Sequence, residues 1–260
     1  METQFIKFEI ENGVGKITLN RPEVLNSFNH GMAMEVQYAL DICMNDAAIR
    51  AVYLTGEGRA FCAGQDLAEA TAADAPNIAQ IVDLHYNPII KKIREIEKPV
   101  ICAVNGVAAG AGANIAYSCD IIYAGKSATF IQSFAKIGLI PDSGGTFFLP
   151  RLAGLQRATA MMMLADNVTA EQALNYGMVY KVCDDDKLQE EAYATASYLA
   201  TQPTKGLGLT KRLLNLSLFN SLEDQLELER DLQAEAFDTE DNKEGMNAFL
   251  EKRKPVFKGQ

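Results

Sequence analysis

Residues 105–152 of this chain read NGVAAGAGANIAYSCDIIYAGKSATFIQSFAKIGLIPDSGGTFFLPRL. The stretch places a turn of glycines and alanines, residues 106–112, between an apolar strand pattern and an apolar helix pattern. Such a turn lets a ligand approach the backbone closely, and free N–H groups at a helix start can stabilise a developing negative charge. Asp142 follows one loop later as a candidate proton carrier. The stretch therefore predicts a site that forms an oxyanion and moves a proton.

The composition predicts a globular protein of the cytoplasm. The 260 residues are 48% hydrophobic, which is enough for a buried core, and carry a formal net charge of −10. This charge repels nucleic acids and acidic membranes, so we expect neither as a partner. The 5 cysteines are widely spaced without a CxxC motif, which is typical of reduced thiols. The 2 histidines are too few for an evident metal cluster, so no metal is expected.

The hydrophobic pattern predicts an α/β core followed by helices. The predicted elements are a hairpin of residues 4–10 and 14–19, helices at 31–45 and 77–97, and buried strands at 51–54, 99–104 and 121–124. We expect Pro88 to kink or restart the second helix. Strands that alternate with helices predict stacked ββα units with parallel strands. The break at Gln202-Pro203 predicts a core of residues 1–200 and a C-terminal helical subdomain of residues 201–260 that packs on a neighbouring subunit.

A second turn of small residues, at positions 60–67, follows the predicted strand at 51–54. If both turns lie at the same end of parallel strands, their N–H groups can converge on one carbonyl oxygen. Taken alone, each turn is also explained by close packing of backbone. Asp142 precedes small residues at a helix start, where aspartate is a common N-cap, so a capping role and a catalytic role both stay open.

The glycine-rich turn at 100–115 does not form a nucleotide-binding motif. A dinucleotide fingerprint is G-x-G-x-x-G, and Ile115 stands where the third glycine is required. No lysine follows as in a P-loop, and Ser143 lacks the G-x-S-x-G context of a serine hydrolase. We therefore expect neither nicotinamide chemistry nor nucleotide hydrolysis.

The order and spacing of several motifs resemble the crotonase (enoyl-CoA hydratase/isomerase) superfamily. The motifs are ITLNRP (17–22), LNS (25–27), FCAGQDL (61–67), NGVAAGAGAN (105–114), CDIIYA (119–124), LIPDSGGTFFLPR (139–151) and PVFKG (255–259). The resemblance implies a crotonase-like spiral of ββα units with a C-terminal helical subdomain, assembled as a homotrimer or a hexamer. It also implies acyl-coenzyme A thioesters as substrates, with no cofactor besides the coenzyme A that the substrate carries.

The resemblance further implies roles for individual residues. The thioester oxygen would accept hydrogen bonds from the backbone N–H groups of Gln65 and Ala111. The residues that it places along the substrate path are Leu25, Asn26, Ala63, Gly64, Asp66, Leu67 and Gly112. Lys258 is expected to reach the nucleotide end of coenzyme A from a neighbouring subunit.

Departures from the family pattern favour an isomerase. Hydratases of the family hold a water between two glutamates, whereas Asn114 and Phe134 stand at those positions here. Both residues are therefore assigned to the substrate pocket, and the usual hydration machinery is missing. Asp142 stands where some isomerases of the superfamily place their acid. One carboxylate suits isomerisation, because it can remove a proton from one carbon and return it to another.

The strings FCAGQDL and LIPDSGGTFFLPR are most similar to the phenylacetate-catabolic branch of the superfamily. Its members rearrange ring-1,2-epoxyphenylacetyl-CoA to an oxepin and shift double bonds, so the sequence predicts this activity, 3-enoyl to 2-enoyl-CoA isomerisation, or both. An enoyl-CoA hydratase-like enzyme of unknown substrate is one alternative. A 4-chlorobenzoyl-CoA dehalogenase-like enzyme is another, although these enzymes use a tryptophan that this chain lacks. A non-catalytic or RNA-binding relative is the third, and the negative net charge opposes RNA binding.

Overall fold

A six-stranded sheet forms the centre of the fold. The computed structural model describes residues 3–72 and 76–260. In the order in which they lie in the sheet, the strands are β1 (Ile6–Glu11), β2 (Val14–Leu19), β3 (Ala51–Gly56), β5 (Val100–Val104), β7 (Ile121–Gly125) and β10 (Lys181–Cys183). β1 and β2 form the predicted hairpin, and the other neighbouring strands are parallel.

A smaller four-stranded sheet completes the spiral. Its strands are β4 (Ala60–Cys62), β6 (Val107–Ala109), β8 (Thr129–Ile131) and β9 (Asn167–Thr169). β4, β6 and β8 are parallel. In the chain they come directly after β3, β5 and β7 of the large sheet, respectively, apart from intervening loops. Successive turns of the chain therefore place one strand in each sheet. This arrangement confirms the predicted α/β class with ββα units.

Helices pack on both faces of the large sheet. The helices in the described part of the chain are α1 (His30–Asn45), α2 (Leu67–Ala70), α3 (Ile78–Ile81), α4 (Asn87–Glu95), α5 (Ala111–Ser118), α6 (Gly145–Ala153), α7 (Leu155–Leu164), α8 (Ala170–Asn175), α9 (Leu188–Ala200), α10 (Thr204–Leu216), α11 (Leu222–Phe237) and α12 (Glu240–Glu251). Every residue of α5 is buried, so this helix lies inside the core. Among the described helices, none is long and apolar enough to cross a bilayer.

Pro88 restarts the helix that the sequence predicts at 77–97. α3 passes into a π-helical turn, Val82–Tyr86, and α4 begins with Pro88 in its first turn. Proline has no N–H, so the carbonyl group of Leu84 loses its helical donor. The side-chain amide of Gln37 on α1 donates to that carbonyl oxygen at 2.8 Å instead. The predicted interruption is confirmed.

A buried ion pair fastens α10 to the core. Lys211 is 6% exposed, and its Nζ donates to the carboxylate of Asp120 and to the carbonyl oxygen of Ile93, both at 2.7 Å. Arg94 on α4 donates to the other oxygen of Asp120 at 3.1 Å. The predicted division of the chain into residues 1–200 and 201–260 is not tested by these contacts and stays a prediction.

Replacing Lys211 by methionine should destabilise the protein by about 2 kcal/mol, because the carboxylate of Asp120 and the carbonyl oxygen of Ile93 lose a buried charged donor, although Arg94 still pairs with Asp120. Chemical denaturation of Lys211→Met measures this loss. Lys243→Met is the matched control, since Lys243 pairs with Glu240 on the surface of α12 and surface pairs contribute little. Equal stability of the two variants would contradict the anchoring role.

Candidate active site

The first turn of the site, residues 63–66, leaves β4 and pairs with Phe28. The N–H of Phe28 donates to the carbonyl oxygen of Gly64 at 2.7 Å, and the N–H of Asp66 donates to the carbonyl oxygen of Phe28 at 2.8 Å. Successive residues of an extended segment direct their N–H groups to opposite sides. The N–H of Gln65 therefore points away from Phe28 and is free to face a ligand.

The second turn lies beside the first. Ala111 is the first residue of α5, so its N–H has no acceptor within the helix. Gly64 has a φ of +93°, and a Cβ atom there would lie 3.0 Å from the carbonyl oxygen of Ala109 and 3.7 Å from the nitrogen of Ala111. The turns of Gln65 and Ala111 therefore lie side by side with little room between them, and the positive φ of Gly64 favours glycine at this position.

Gly112 allows the backbones to pack closely, which was the alternative explanation of these turns. A Cβ atom at Gly112 would lie 2.5 Å from the carbonyl oxygen of Cys62 and 2.7 Å from its Cβ. The start of α5 therefore rests directly against the end of β4. Because this contact fixes the position of the Ala111 N–H, the packing role and the proposed ligand role are compatible.

Asn114 holds the loop that carries Asp142. It is fully buried on α5, and its Nδ2 donates to the carbonyl oxygen of Asp142 at 2.8 Å. Its Oδ1 accepts a hydrogen bond from Gln132 at 2.8 Å, which orients the amide group. The N–H of Gly145 donates to the same carbonyl oxygen at 2.9 Å. A carboxylate at position 114 could not make the first of these bonds, because it has no donor when ionised.

The side chain of Asp142 is not a helix cap. α6 follows Gly144, a residue with positive φ, and no side chain caps this helix start. The capping role that the sequence left open is therefore wrong. The carboxylate is half-buried and accepts a hydrogen bond from the hydroxyl group of Ser143 at 2.8 Å. Burial raises the pKa of Asp142, and the bond from Ser143 offsets part of this rise.

Tyr86 is a site residue that the sequence did not reveal. It is 1% exposed, and its hydroxyl group donates to Oε1 of Gln65 at 2.5 Å. Burial raises the pKa of the phenol well above its usual value, and the nearby carboxylate of Asp142 adds to the rise. The hydrogen bond joins Tyr86 to Gln65, which lies 21 positions earlier in the chain. The only signal in the sequence was the helix interruption at Pro88 beside it.

Two of the predicted substrate-path residues, Leu25 and Asn26, form hydrogen bonds with the backbone of the first turn and of the residues before it. The carbonyl oxygen of Leu25 accepts a hydrogen bond from the N–H of Ala63 at 3.0 Å. Asn26 is fully buried, and its Nδ2 donates to the carbonyl oxygens of Glu57 and Ala60 at 2.9 and 2.8 Å. The polar atoms of Asn26 are thus occupied within the protein, whereas the side chain of Leu25 is half-buried.

Asp66, Leu67 and Phe134, also predicted as site residues, differ in their contacts and exposure. Asp66 caps α2 and pairs with Arg21 at 2.9 Å, and Leu67 is 52% exposed. Phe134 is 7% exposed, and its ring lies 3.6 Å from where a Cβ of Gly110 would be, so it forms an apolar wall beside the second turn.

Lys258 lies beside α12, and none of the hydrogen bonds described above links it to the two turns of the same chain. It is exposed on the C-terminal tail, where its N–H donates to the carboxylate of Asp241 on α12 at 2.6 Å. Its predicted contact with the coenzyme A of a neighbouring subunit stays a prediction.

The two sheets and the paired turns define a protein of the crotonase fold, and comparisons with known proteins agree. Residues 9–260 match the family described as enoyl-CoA hydratase/isomerase, and the chain belongs to this family. It is 48% identical to the 1,2-epoxyphenylacetyl-CoA isomerase of Escherichia coli K12 over 99% of both chains. It is 40% identical to the mitochondrial enoyl-CoA hydratase of Pongo abelii, over 96% of this chain and 85% of that protein.

A solved structure confirms the predicted fold. The crystal structure of an enoyl-CoA hydratase from Polaromonas sp. JS666 matches with a TM-score of 0.91 and 35% identity, over 97% of this chain and 99% of that one. The resemblance and the crotonase-like spiral that the motifs implied are therefore both correct.

Replacing Gly64 by alanine should weaken acyl-CoA binding by about tenfold, because the added methyl group would press on the carbonyl group of Ala109 beside the Ala111 N–H. Isothermal titration calorimetry measures the binding. Gly154→Ala is the matched control, since Gly154 also has a positive φ but a Cβ there meets no heavy atom within 4 Å. Both variants should lose about 1–3 kcal/mol of stability from backbone strain. Equal ligand affinities would disprove the special role of Gly64.

Proposed function

We propose that this protein is an isomerase of acyl-coenzyme A thioesters that moves a proton through an enolate. The observation that carries the proposal is the half-buried carboxylate of Asp142, which caps no helix and lies on a loop tied to α5. Asn114 and Phe134 support it further, because neither can supply the carboxylates of the family's hydratases. The 48% identity to an isomerase that acts on an acyl-CoA points the same way.

The reaction begins when the thioester oxygen accepts hydrogen bonds from the N–H groups of Gln65 and Ala111. Asp142 removes a proton from the acyl group, and the electron pair of the broken C–H bond moves onto the thioester oxygen as an enolate. The two N–H groups stabilise this charge, each by about 3–4 kcal/mol. The protonated Asp142 then returns its proton to a different carbon. Its raised pKa makes the carboxylate a better base, because an ideal shuttle has a pKa closer to the working pH.

The proposed substrates are ring-1,2-epoxyphenylacetyl-CoA, linear 3-enoyl-CoA thioesters, or both. The first follows from the E. coli relative and the second from the need for only one acid. With the epoxide, Asp142 removes a proton from the carbon next to the thioester, the C–C bond of the three-membered ring breaks as the seven-membered oxepin forms, and Asp142 returns the proton to a ring carbon. The substrate brings its own coenzyme A, so the proposed reaction needs no further cofactor. We also propose a homotrimer or hexamer, in which Lys258 of one subunit approaches the nucleotide of the next.

Replacing Asp142 by asparagine should lower isomerase turnover by about 100-fold to 10,000-fold, the usual contribution of a general acid or base. Acyl-CoA affinity should stay within about threefold, because the N–H groups that bind the oxygen remain. The melting temperature should not fall, since the change removes a charge that burial disfavours. Coupled spectroscopic assays with 3-enoyl-CoA and the phenylacetyl-CoA epoxide measure the turnover.

Asp166→Asn is the control for this substitution, because Asp166 is exposed on the loop after α7. Wild-type turnover in Asp142→Asn would refute the proposed mechanism. Hydration of 2-enoyl-CoA by the wild-type protein, without isomerisation of either proposed substrate, would favour the hydratase alternative instead.

Replacing Ser143 by alanine should move the acidic limb of the pH–rate profile to higher pH. Asp142 must be ionised to accept a proton, so kcat/KM falls as the pH drops through its pKa. Ser143 lowers that pKa by donating to the carboxylate, and without this bond the pKa rises further. Profiles of kcat/KM against pH for both proteins measure the shift. An unchanged limb, or one displaced to lower pH, would show that another group controls it.

A further inference from the structure

Tyr86 contacts the Gln65 side chain of the candidate site. Its hydroxyl group donates to Oε1 of Gln65 at 2.5 Å. Burial raises the pKa of the phenol, and the carboxylates of Asp142, Glu69 and Asp66 add to the rise. Its side chain is 1% exposed, so the bond to Gln65 is shielded from competing water.

The backbone pairing of the first turn does not fix the side chain of Gln65. Phe28 bonds to Gly64 and Asp66, the residues on either side, and leaves Gln65 directed away from it. A glutamine side chain has several rotamers and costs entropy to immobilise. The bond from Tyr86 at 2.5 Å is the shorter of two restraints, since Nε2 of Gln65 also donates to the carbonyl oxygen of Asp66 at 3.4 Å. The ring of Tyr86 also packs on Phe28, with 5.9 Å between the ring centroids.

The position of Tyr86 is itself firmly determined. It ends the π-helical turn Val82–Tyr86, which holds one more residue than an α-helical turn and so rotates the residues that follow. Gln37 donates to the carbonyl oxygens of Leu84 and His85 at 2.8 and 3.3 Å, which stabilises this irregular turn. The Nε2 atom of His85 lies 2.9 Å from Nδ1 of His30 on α1 and adds a second tie.

We propose that Tyr86 is a positioning residue: its hydroxyl group fixes the side chain of Gln65 and thereby restricts the motion of the Gln65 N–H, which the pairing with Phe28 directs at the thioester oxygen. This inference rests on the proposed function, because the thioester oxygen is the target of the N–H. Burial keeps the phenol protonated by raising its pKa, so it remains a donor. The aim of the N–H matters most when charge develops on the oxygen, so its loss lowers kcat more than it raises KM.

Tyr86→Phe tests the proposal, because it keeps the ring and removes only the hydroxyl group. We expect kcat to fall about tenfold, the effect of one buried hydrogen bond, with KM changed by less than about threefold. Tyr117→Phe is the matched control: Tyr117 is equally buried, and within the described residues its hydroxyl group has no partner. Its kcat should equal that of the wild type.

A double-mutant cycle separates positioning from a merely structural effect. Gln65→Leu removes the acceptor and keeps the backbone N–H. If Tyr86 acts through this side chain, the two single variants and the double variant lose kcat by the same factor. Losses that multiply in the double variant would overturn the proposal, as would a Tyr86→Phe enzyme with the kcat of Tyr117→Phe. Thermal melts of all variants verify folding.

The same experiment distinguishes the two proposals. A wild-type protein that converts neither acyl-CoA substrate would contradict the proposed function. A wild-type protein that converts one of them, with Tyr86→Phe and Tyr117→Phe equally active, would overturn only the role of Tyr86.

Discussion

The hydrogen bond from the amide of Asn114 to the carbonyl oxygen of Asp142 is the interaction on which the candidate site depends. Asn114 lies on the helix that begins at Ala111, so one rigid element presents a backbone N–H and also fixes the loop of the acid. A buried carbonyl group left without its donor costs about 1–3 kcal/mol. Asn114 therefore brings no carboxylate of its own to the site and instead holds the loop that carries the carboxylate of Asp142.

Two opposing demands meet at this site. Close packing requires Gly64 and Gly112, since any side chain there would displace the neighbouring turn. A half-buried carboxylate at Asp142 opposes folding at neutral pH, because its pKa is raised and the ionised form is the less favoured one. Dense packing around α5 and the hydrogen bonds from Asn114 and Gly145 to the carbonyl oxygen of Asp142 offset this loss of stability. The arrangement is typical of active sites, where stability is lost locally in exchange for reactivity.

Much of the fold could be predicted, because its signals are local. The β1–β2 hairpin, the alternation of strands and helices and the restart at Pro88 each depend on residues close in sequence. The three-residue strands β4, β6, β8 and β9 could not be predicted, because three residues are too few to show a period. The order of the motifs indicated Gln65, Ala111 and Asp142 as site residues, and the structure places the turns of the first two side by side.

The supporting contacts of the site could not be predicted. Asn114 bonds to a residue 28 positions away and Tyr86 to one 21 positions away, and no local pattern encodes either pair. The possible capping role of Asp142 was wrong because the positive φ of Gly144 moves the helix start beyond its reach. Sequence thus indicated which groups could react, whereas tertiary contacts decide how they are held.

A crystal structure of the protein with a bound, unreactive acyl-CoA analogue tests the central claim most directly. The account predicts that the thioester oxygen lies within hydrogen-bonding distance of the nitrogens of Gln65 and Ala111, with a carboxylate oxygen of Asp142 facing a carbon atom of the acyl group. A thioester bound elsewhere, or an Asp142 side chain turned away from the acyl group into solvent, would contradict it.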